Sequence, residues 1–289
     1  MTALGLTAPR AEAITAHAWA WSAGAAHWRP LPDVPGGPRV AASAVGAAGS
    51  IWVLGGYDVA PDRHETSHVE LMQLDLARST WSARAPLPVP IDDAAVVVWR
   101  DRFLFVVSGW SNDAPVSTVQ RYDIAHDRWT TSTAFPGIPV FGHAAAIIGD
   151  ELVVLDGVAK GPDGYRIVAQ AWAGRIDATD PSKISWRDLG AHPGPPRYRS
   201  AAATTRAGDL VFHGGTSDPY NFDGRSYRTH SPSTPEPSAL VVRNGRFSLR
   251  PAAATMDHRG LAQCGDAVLR VGGMTAGPTV STDVAPVFR

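Results

Sequence analysis

The chain has 289 residues, a formal net charge of −1 and a single cysteine. This length allows a large core. The near-neutral balance gives no basic field to hold a nucleic-acid backbone, and one cysteine permits neither an internal disulfide nor a cysteine-based zinc cluster. No apolar run is long enough to cross a membrane as a helix.

The segment Leu4–Ala13 is similar to the tail of a secretory signal, and Ala11-Glu12-Ala13 fits a small-x-small cleavage site. It has no basic segment, however, and its apolar part is short. Residues 1–13 are expected to be a disordered tail or the remnant of a signal peptide, and residues 14–289 a single domain. The compartment depends on that choice: cytoplasmic as the sequence stands, periplasmic or secreted if a signal lies upstream. Residues 14–27, with Trp19 and Trp21, fit either a longer outer strand or part of a degenerate sixth unit.

The first strong element is Ser50-Ile-Trp-Val-Leu-Gly-Gly56, a buried strand ending in a glycine doublet. Relatives of it end at Gly109, Gly157, Gly215 and Gly273. Trp28, Trp81 and Trp129 each stand 28 positions before the closing glycine of a repeat. Trp186 and Phe247 stand 29 and 26 positions before theirs. Between aromatic and glycine strand lies another apolar stretch: residues 41–45, 94–98, 144–148, 200–203 and 260–262. After each doublet come a variable loop and an alternating strand, such as Val69–Leu76 or Val119–Ile124. Each repeat therefore holds four strands, the inner two apolar on both faces and the outer two alternating. A repeat of this size cannot bury its apolar face alone, so the units must stack into an array. Five units are visible. The expected fold is all-β, a propeller of five four-stranded antiparallel blades, or six if residues 14–27 contribute one. The fifth unit lacks its outer strand and Trp28 marks an orphan one, so the ring is expected to close by pairing the two within one blade.

Gly55-Gly56, Tyr122 with Trp129, Pro196-Arg-Tyr-Arg-Ser-Ala-Ala202 and Phe141-Gly-His-Ala-Ala145 together resemble the kelch repeat, from about Trp28 onwards. The pattern departs from that family at Ser108-Gly109 and Asp156-Gly157, where the first glycine is replaced. The resemblance implies a kelch β-propeller with its long loops crowding one mouth of the central channel. It also implies either a protein-interaction role or, as in galactose oxidase or the bacterial N-acetylneuraminate epimerases, an enzyme.

The residues that open the first strands should converge at that mouth. Arg39, Arg197, Tyr198, Arg199 and Arg259 are candidate ligand-binding groups, since arginine takes carboxylates bidentately. Trp110, just after a doublet, is a candidate stacking platform. His143, Asp93 and His258 are candidate acid–base residues for a sugar mutarotase or epimerase, in which one group removes the anomeric proton and another protonates the ring oxygen. For the arginines a structural role between blades is the competing reading.

No metal or cofactor is expected. His64-Glu-Thr-Ser-His68 has the spacing of a zinc motif, but that motif needs a helix. In extended chain its histidines lie about 13 Å apart. Copper-oxidase chemistry finds no partner set around Cys264. The expectation is a monomer that binds a polar or anionic ligand, or a protein partner, at the mouth. A mutarotase-like isomerase and an enzyme of unrelated specialised chemistry are the alternatives.

Overall fold

The computed structural model describes residues 1–288, and their only helical element is the three-residue 3-10 turn Ala11–Ala13. Everything else is strand and loop. Six main sheets of three or four strands follow one another along the described residues, each an antiparallel meander, with four small two-stranded sheets besides. Blade I holds Thr2–Ala3, Ala18–Ala20 and Arg29–Leu31. Blade II runs from Ser43–Ala47 to Thr80–Ala83, blade III from Ala95–Trp99 to Arg128–Ser132, and blade IV from Ala144–Ile148 to Ile184–Asp188. Blade V runs from Ala201–Thr204 to Arg246–Pro251, and blade VI holds Ala262–Cys264, Ala267–Val271 and Val284–Pro286.

The central strands are β-branched and aromatic because both their faces are covered. Phe103–Val107 is buried along its whole length. Trp52, Leu104 and Tyr122 pack between blades II and III, and Phe105, Phe135 and Val154 between III and IV. Val153 and Phe212 pack between IV and V, and Val241 and Val268 between V and VI. Each such side chain contributes roughly 1.5–3 kcal/mol on burial. These sandwiched layers hold the ring together.

The blade count is six, the alternative reading of the sequence, and not the five that the glycine doublets suggest. Residues 1–13 are not a free tail: Thr2 and Ala3 pair with Trp19 and Ala18. The N-terminal outer strand does not join the last blade. Arg29–Leu31 pairs instead with Ala18–Ala20, and among the described residues Val284–Pro286 pairs only with the second strand of blade VI.

A recurring backbone bond gives the reason. The closing glycine of a blade donates its N–H to a carbonyl of the next blade: Gly56 to Ile91, Gly109 to Val140, Gly157 to Arg197 and Gly215 to Thr255. Gly5 does the same to Arg39, at 3.1 Å. Gly5 is therefore the sixth closing glycine. The strand before it is only Thr2–Ala3, too short to show a pattern.

Four blades carry a small hairpin after the doublet: Tyr57–Val59 with Glu65–Ser67, Trp110–Ser111 with Ala114–Pro115, Val158–Gly161 with Gly164–Ile167, and Met274–Thr275 with Thr279–Val280. In blade V this place is taken by the long loop 216–237. The zinc-like motif lies in the first hairpin, where Glu65–Ser67 is a strand.

Candidate functional site

The entry to each first strand repeats one backbone shape. The residue that follows the inter-strand bridge takes a left-handed conformation: Ala41 (φ 58°), Asp93 (47°), Gly142 (61°), Arg199 (53°) and Asp257 (62°). Here the blades join hands. Asp93 N–H donates to Ala41 O (3.0 Å), Gly142 N–H to Asp93 O (2.8 Å), Arg199 N–H to Gly142 O (2.6 Å) and His258 N–H to Arg199 O (3.3 Å). The arc fixes five blades edge to edge and places their next side chains around one axis.

Three residues of this arc, Asp93, Arg199 and Asp257, form an ion cluster with Arg259. Asp93 pairs with Arg199 at 2.8 Å and with Arg259 at 2.8 Å. Asp257 pairs with the same two arginines, at 3.3 Å each. Two carboxylates face two guanidiniums, so the cluster is neutral overall. Arg199 is buried, and the rings of Tyr198 and Tyr220 lie 5.0 and 5.1 Å from its guanidinium carbon. Burial opposes the Arg199 charge, but Asp93 and its neighbours outweigh it and push the group above its ordinary range. Burial likewise opposes the Asp93 carboxylate. Arg199 and then Arg259 overcome this and hold its carboxyl below the usual range. Asp92 goes the other way: burial and the charge of Asp93 push it well up, although Ser67 Oγ donates to it at 2.6 Å.

Below the cluster lies a channel cavity of about 260 Å³, walled by the first strands. Asp93, His143, Arg199, His258 and Arg259 all line it, together with apolar positions such as Val96 and Ala202. The structure thus brings together five of the residues singled out from the sequence. His143 Nε2 bonds the carbonyl of Val107 at 2.9 Å, and burial lowers its pKa to about 4. His258 and His213 share the hydroxyl of Thr255, at 2.9 and 3.0 Å. Burial lowers His258 to about 3 and His213 to about 4. Arg199 Nε, Arg259 Nε, His143 Nδ1 and His258 Nδ1 are buried without a hydrogen-bond partner.

The remaining candidates lie elsewhere. Arg197 faces the blade interior, where it donates to Gly214 O (3.1 Å), Ser238 O (2.6 Å) and Ser238 Oγ (2.7 Å). Arg39, its counterpart in blade II, is fully buried and pairs with Glu70 at 3.4 Å. Tyr198 is buried beneath the loop 216–237. Trp110 sits on the rim, 5.2 Å from Phe141 and 5.9 Å from Tyr165, with Lys160 over its face. The sequence reading missed Asp257, Tyr220 and Tyr227. Asp257 had a usable signal, since it occupies the position of Asp93 and Arg199 relative to its strand.

Tyr220 and Tyr227 belong to the long loop and cover the cluster from the loop side. Tyr227 stacks on Tyr165 with ring centres 4.3 Å apart. Around them the hairpins expose Tyr165, Lys160, Arg166 and Glu65, and the long loop exposes Arg228.

No family model matches the chain. Part of it is similar to Kelch-like protein 15 of Gallus gallus, 27% identical over 110 residues, which is 38% of this chain and 22% of that protein. Part is similar to human Kelch-like protein 33, 30% identical over 131 residues, 45% of this chain and 24% of that protein. The match spans less than a quarter of the length of these relatives. The solved structure of YjhT superposes with a TM-score of 0.75 at 16% identity, over 93% of this chain and 86% of that one. That likeness is one of fold.

Proposed function

With the repeats and the six sheets placing the chain among the kelch-repeat β-propellers, we propose that it is a binding propeller whose loop-bearing face docks a protein partner. The observation that carries this is the state of the mouth. The charges of Arg199 and Arg259 are already matched by Asp93 and Asp257, and tyrosines of the 216–237 loop lie over them. What the face offers to solvent is a shallow rim of Tyr165, Trp110 and exposed basic tips. Tyrosine, tryptophan and arginine dominate the energetics of protein interfaces. The partial similarity to Kelch-like proteins supports the same reading.

The test is affinity capture on immobilised full-length chain, followed by titration of the captured protein. Removing the rim in Tyr165→Ala/Arg166→Ala should weaken binding about 30-fold, the scale of one interface hot spot. Equal binding by this variant, or loss only on changing a residue outside the loop face, would defeat the reading.

A second reading rests on a different observation, the four unpartnered polar atoms around the channel cavity. Unpaired buried donors and acceptors are costly, so they favour a small ligand rich in hydroxyls. Because the ion cluster is neutral, a neutral polyhydroxyl compound fits this cavity better than an acidic sugar. If the ligand is a cyclic sugar, His143 suits the base: its Nε2–H is committed to Val107 O, which leaves Nδ1 as acceptor. Asp93 is ionised and burial keeps His258 neutral, so neither holds a proton ready for the ring oxygen, and the cavity suits binding of such a ligand better than its turnover. A thermal-shift screen of neutral against acidic sugars tests this, since a ligand that binds only the folded state raises its melting temperature. Stabilisation by acidic sugars alone would count against the neutral site.

A further inference from the structure

The seams that join blades II to VI follow one plan, and the last departs from it. Each seam brings together the residue just before one blade's glycine doublet and the residue two places before the doublet of the next. Leu54 and Val106 share the core between blades II and III, Val107 and Val154 that between III and IV, and Leu155 and Phe212 that between IV and V. All six are apolar and buried. Between V and VI the same two places hold His213 and Arg270. Val211 and Val268 pack together in this seam. Residues two apart on a strand share a face, so His213 and Arg270 continue the layer that the valines begin.

These polar groups are poorly satisfied. His213 is fully buried and Arg270 is only 7% exposed. Arg270 Nε, Arg270 Nη1, His213 Nδ1 and His258 Nδ1 have no hydrogen-bond partner. Among the described residues the carboxylate paired with Arg270 is Asp283, at 3.5 Å, and its side chain is 65% exposed. Asp93 and Asp257 are already engaged by Arg199 and Arg259. A buried guanidinium without a close and equally buried counter-charge is costly. Burial, then the charges of Arg270 and Arg197, keep the His213 ring neutral. The Thr255 hydroxyl, shared by His213 and His258, has one proton to give, so it donates to one ring and accepts from the other. The ring that accepts at Nε2 carries its own proton on Nδ1, as a free donor.

We infer that the seam between blades V and VI is a binding site for a small inorganic anion of the halide class, held by the free guanidinium nitrogens of Arg270 and the free imidazole N–H. The seam offers N–H donors and a buried positive charge, and its one carboxylate lies out in solvent. Such a set takes an anion. A singly charged ion fits best, because an ion entering this sealed layer sheds its water, and that cost grows steeply with charge. Bound there, the ion clamps blade VI to blade V and supplies the counter-charge that Asp283 gives only weakly.

The test is thermal unfolding of the full chain in sodium bromide against sodium gluconate, at constant ionic strength. Bromide should raise the melting temperature saturably, by about 3 °C at tenfold its dissociation constant. Arg270→Val and His213→Leu give this seam the side chains of its neighbours, and each should abolish the bromide dependence. As a measure that needs no variant, a crystal grown in bromide should show an anomalous scattering peak within hydrogen-bonding reach of Arg270 Nε or Nη1. Equal melting temperatures in the two salts, a bromide dependence that both variants keep, or a water in place of bromide at Arg270 would each overturn the inference.

Discussion

Arg199 is held from several sides. Two aspartates hold its nitrogens and two tyrosine rings flank it. Breaking a buried pair by removing one partner leaves an uncompensated charge and costs about 3–5 kcal/mol. Arg199→Met is expected to lose stability on that scale in urea denaturation, and Arg199→Met/Asp93→Leu to recover a substantial part of it. If the single variant is neutral, the cluster is not a structural tie. The buried histidines make a second prediction at this scale. His143, His213 and His258 have folded pKa values of about 4, 4 and 3, below the ordinary value of 6.5. Between those values and 6.5 the unfolded chain binds more protons, so acid favours unfolding. Stability present above pH 6.5 should fall as pH drops towards 4, by on the order of 1–2 kcal/mol per histidine at pH 5. Urea midpoints measured from pH 7 to 5 check this, and His143→Gln should flatten the slope.

The two imperfect glycine doublets are informative at the scale of the strand end. At Gly55 (φ 61°) an added Cβ would meet the carbonyl of Ile91 at 2.2 Å, so only glycine fits. At Ser108 the side chain itself bonds the neighbouring loop: Oγ donates to Val140 O (2.8 Å) and accepts from Val140 N–H (3.1 Å). At Asp156 the carboxylate accepts from Arg197 N–H (3.0 Å) and bonds His192 Nε2 (2.7 Å). Asp156→Ala should therefore destabilise by about 1–3 kcal/mol, the cost of stranding buried donors. Gly55→Ala should destabilise as well, through steric conflict. Thermal unfolding of both variants is the check; a neutral Asp156→Ala would remove the explanation. These strand ends also show how far the sequence could be read. The doublets revealed five blades because each follows a second strand of four or five residues. Gly5 went unrecognised because its strand keeps only Thr2 and Ala3. Asp93, His143, Arg199, His258 and Arg259 were found together because each stands at, or within two residues after, the left-handed position that opens a first strand. Arg39 and Arg197, two residues before the left-handed position, face into the blade wall instead. The covering tyrosines had no signal at all, since loop 216–237 replaces the regular hairpin in one repeat only.

Across the whole molecule, the blades are not equally built. Blades II to V hold four strands each, while blades I and VI hold three, and the strands of blade I are two or three residues long. Short ladders with few buried contacts open first. Amide exchange followed by mass spectrometry should give the slowest rates in Phe103–Val107 and Glu151–Leu155 and much faster rates in Thr2–Ala3 and Ala262–Cys264. Uniform protection around the ring would contradict this. The contact between Asp93 and Arg259 has a mechanical meaning here. Blades III and VI stand opposite one another in a circle of six, so this pair spans the hub as a strut, while the backbone arc acts only along the circumference. A hoop fastened solely between neighbours can be squeezed into an oval without any fastening giving way. One braced across its diameter cannot, and cutting that brace would let pressure applied at the long-loop face reach the weakest arc of the circle.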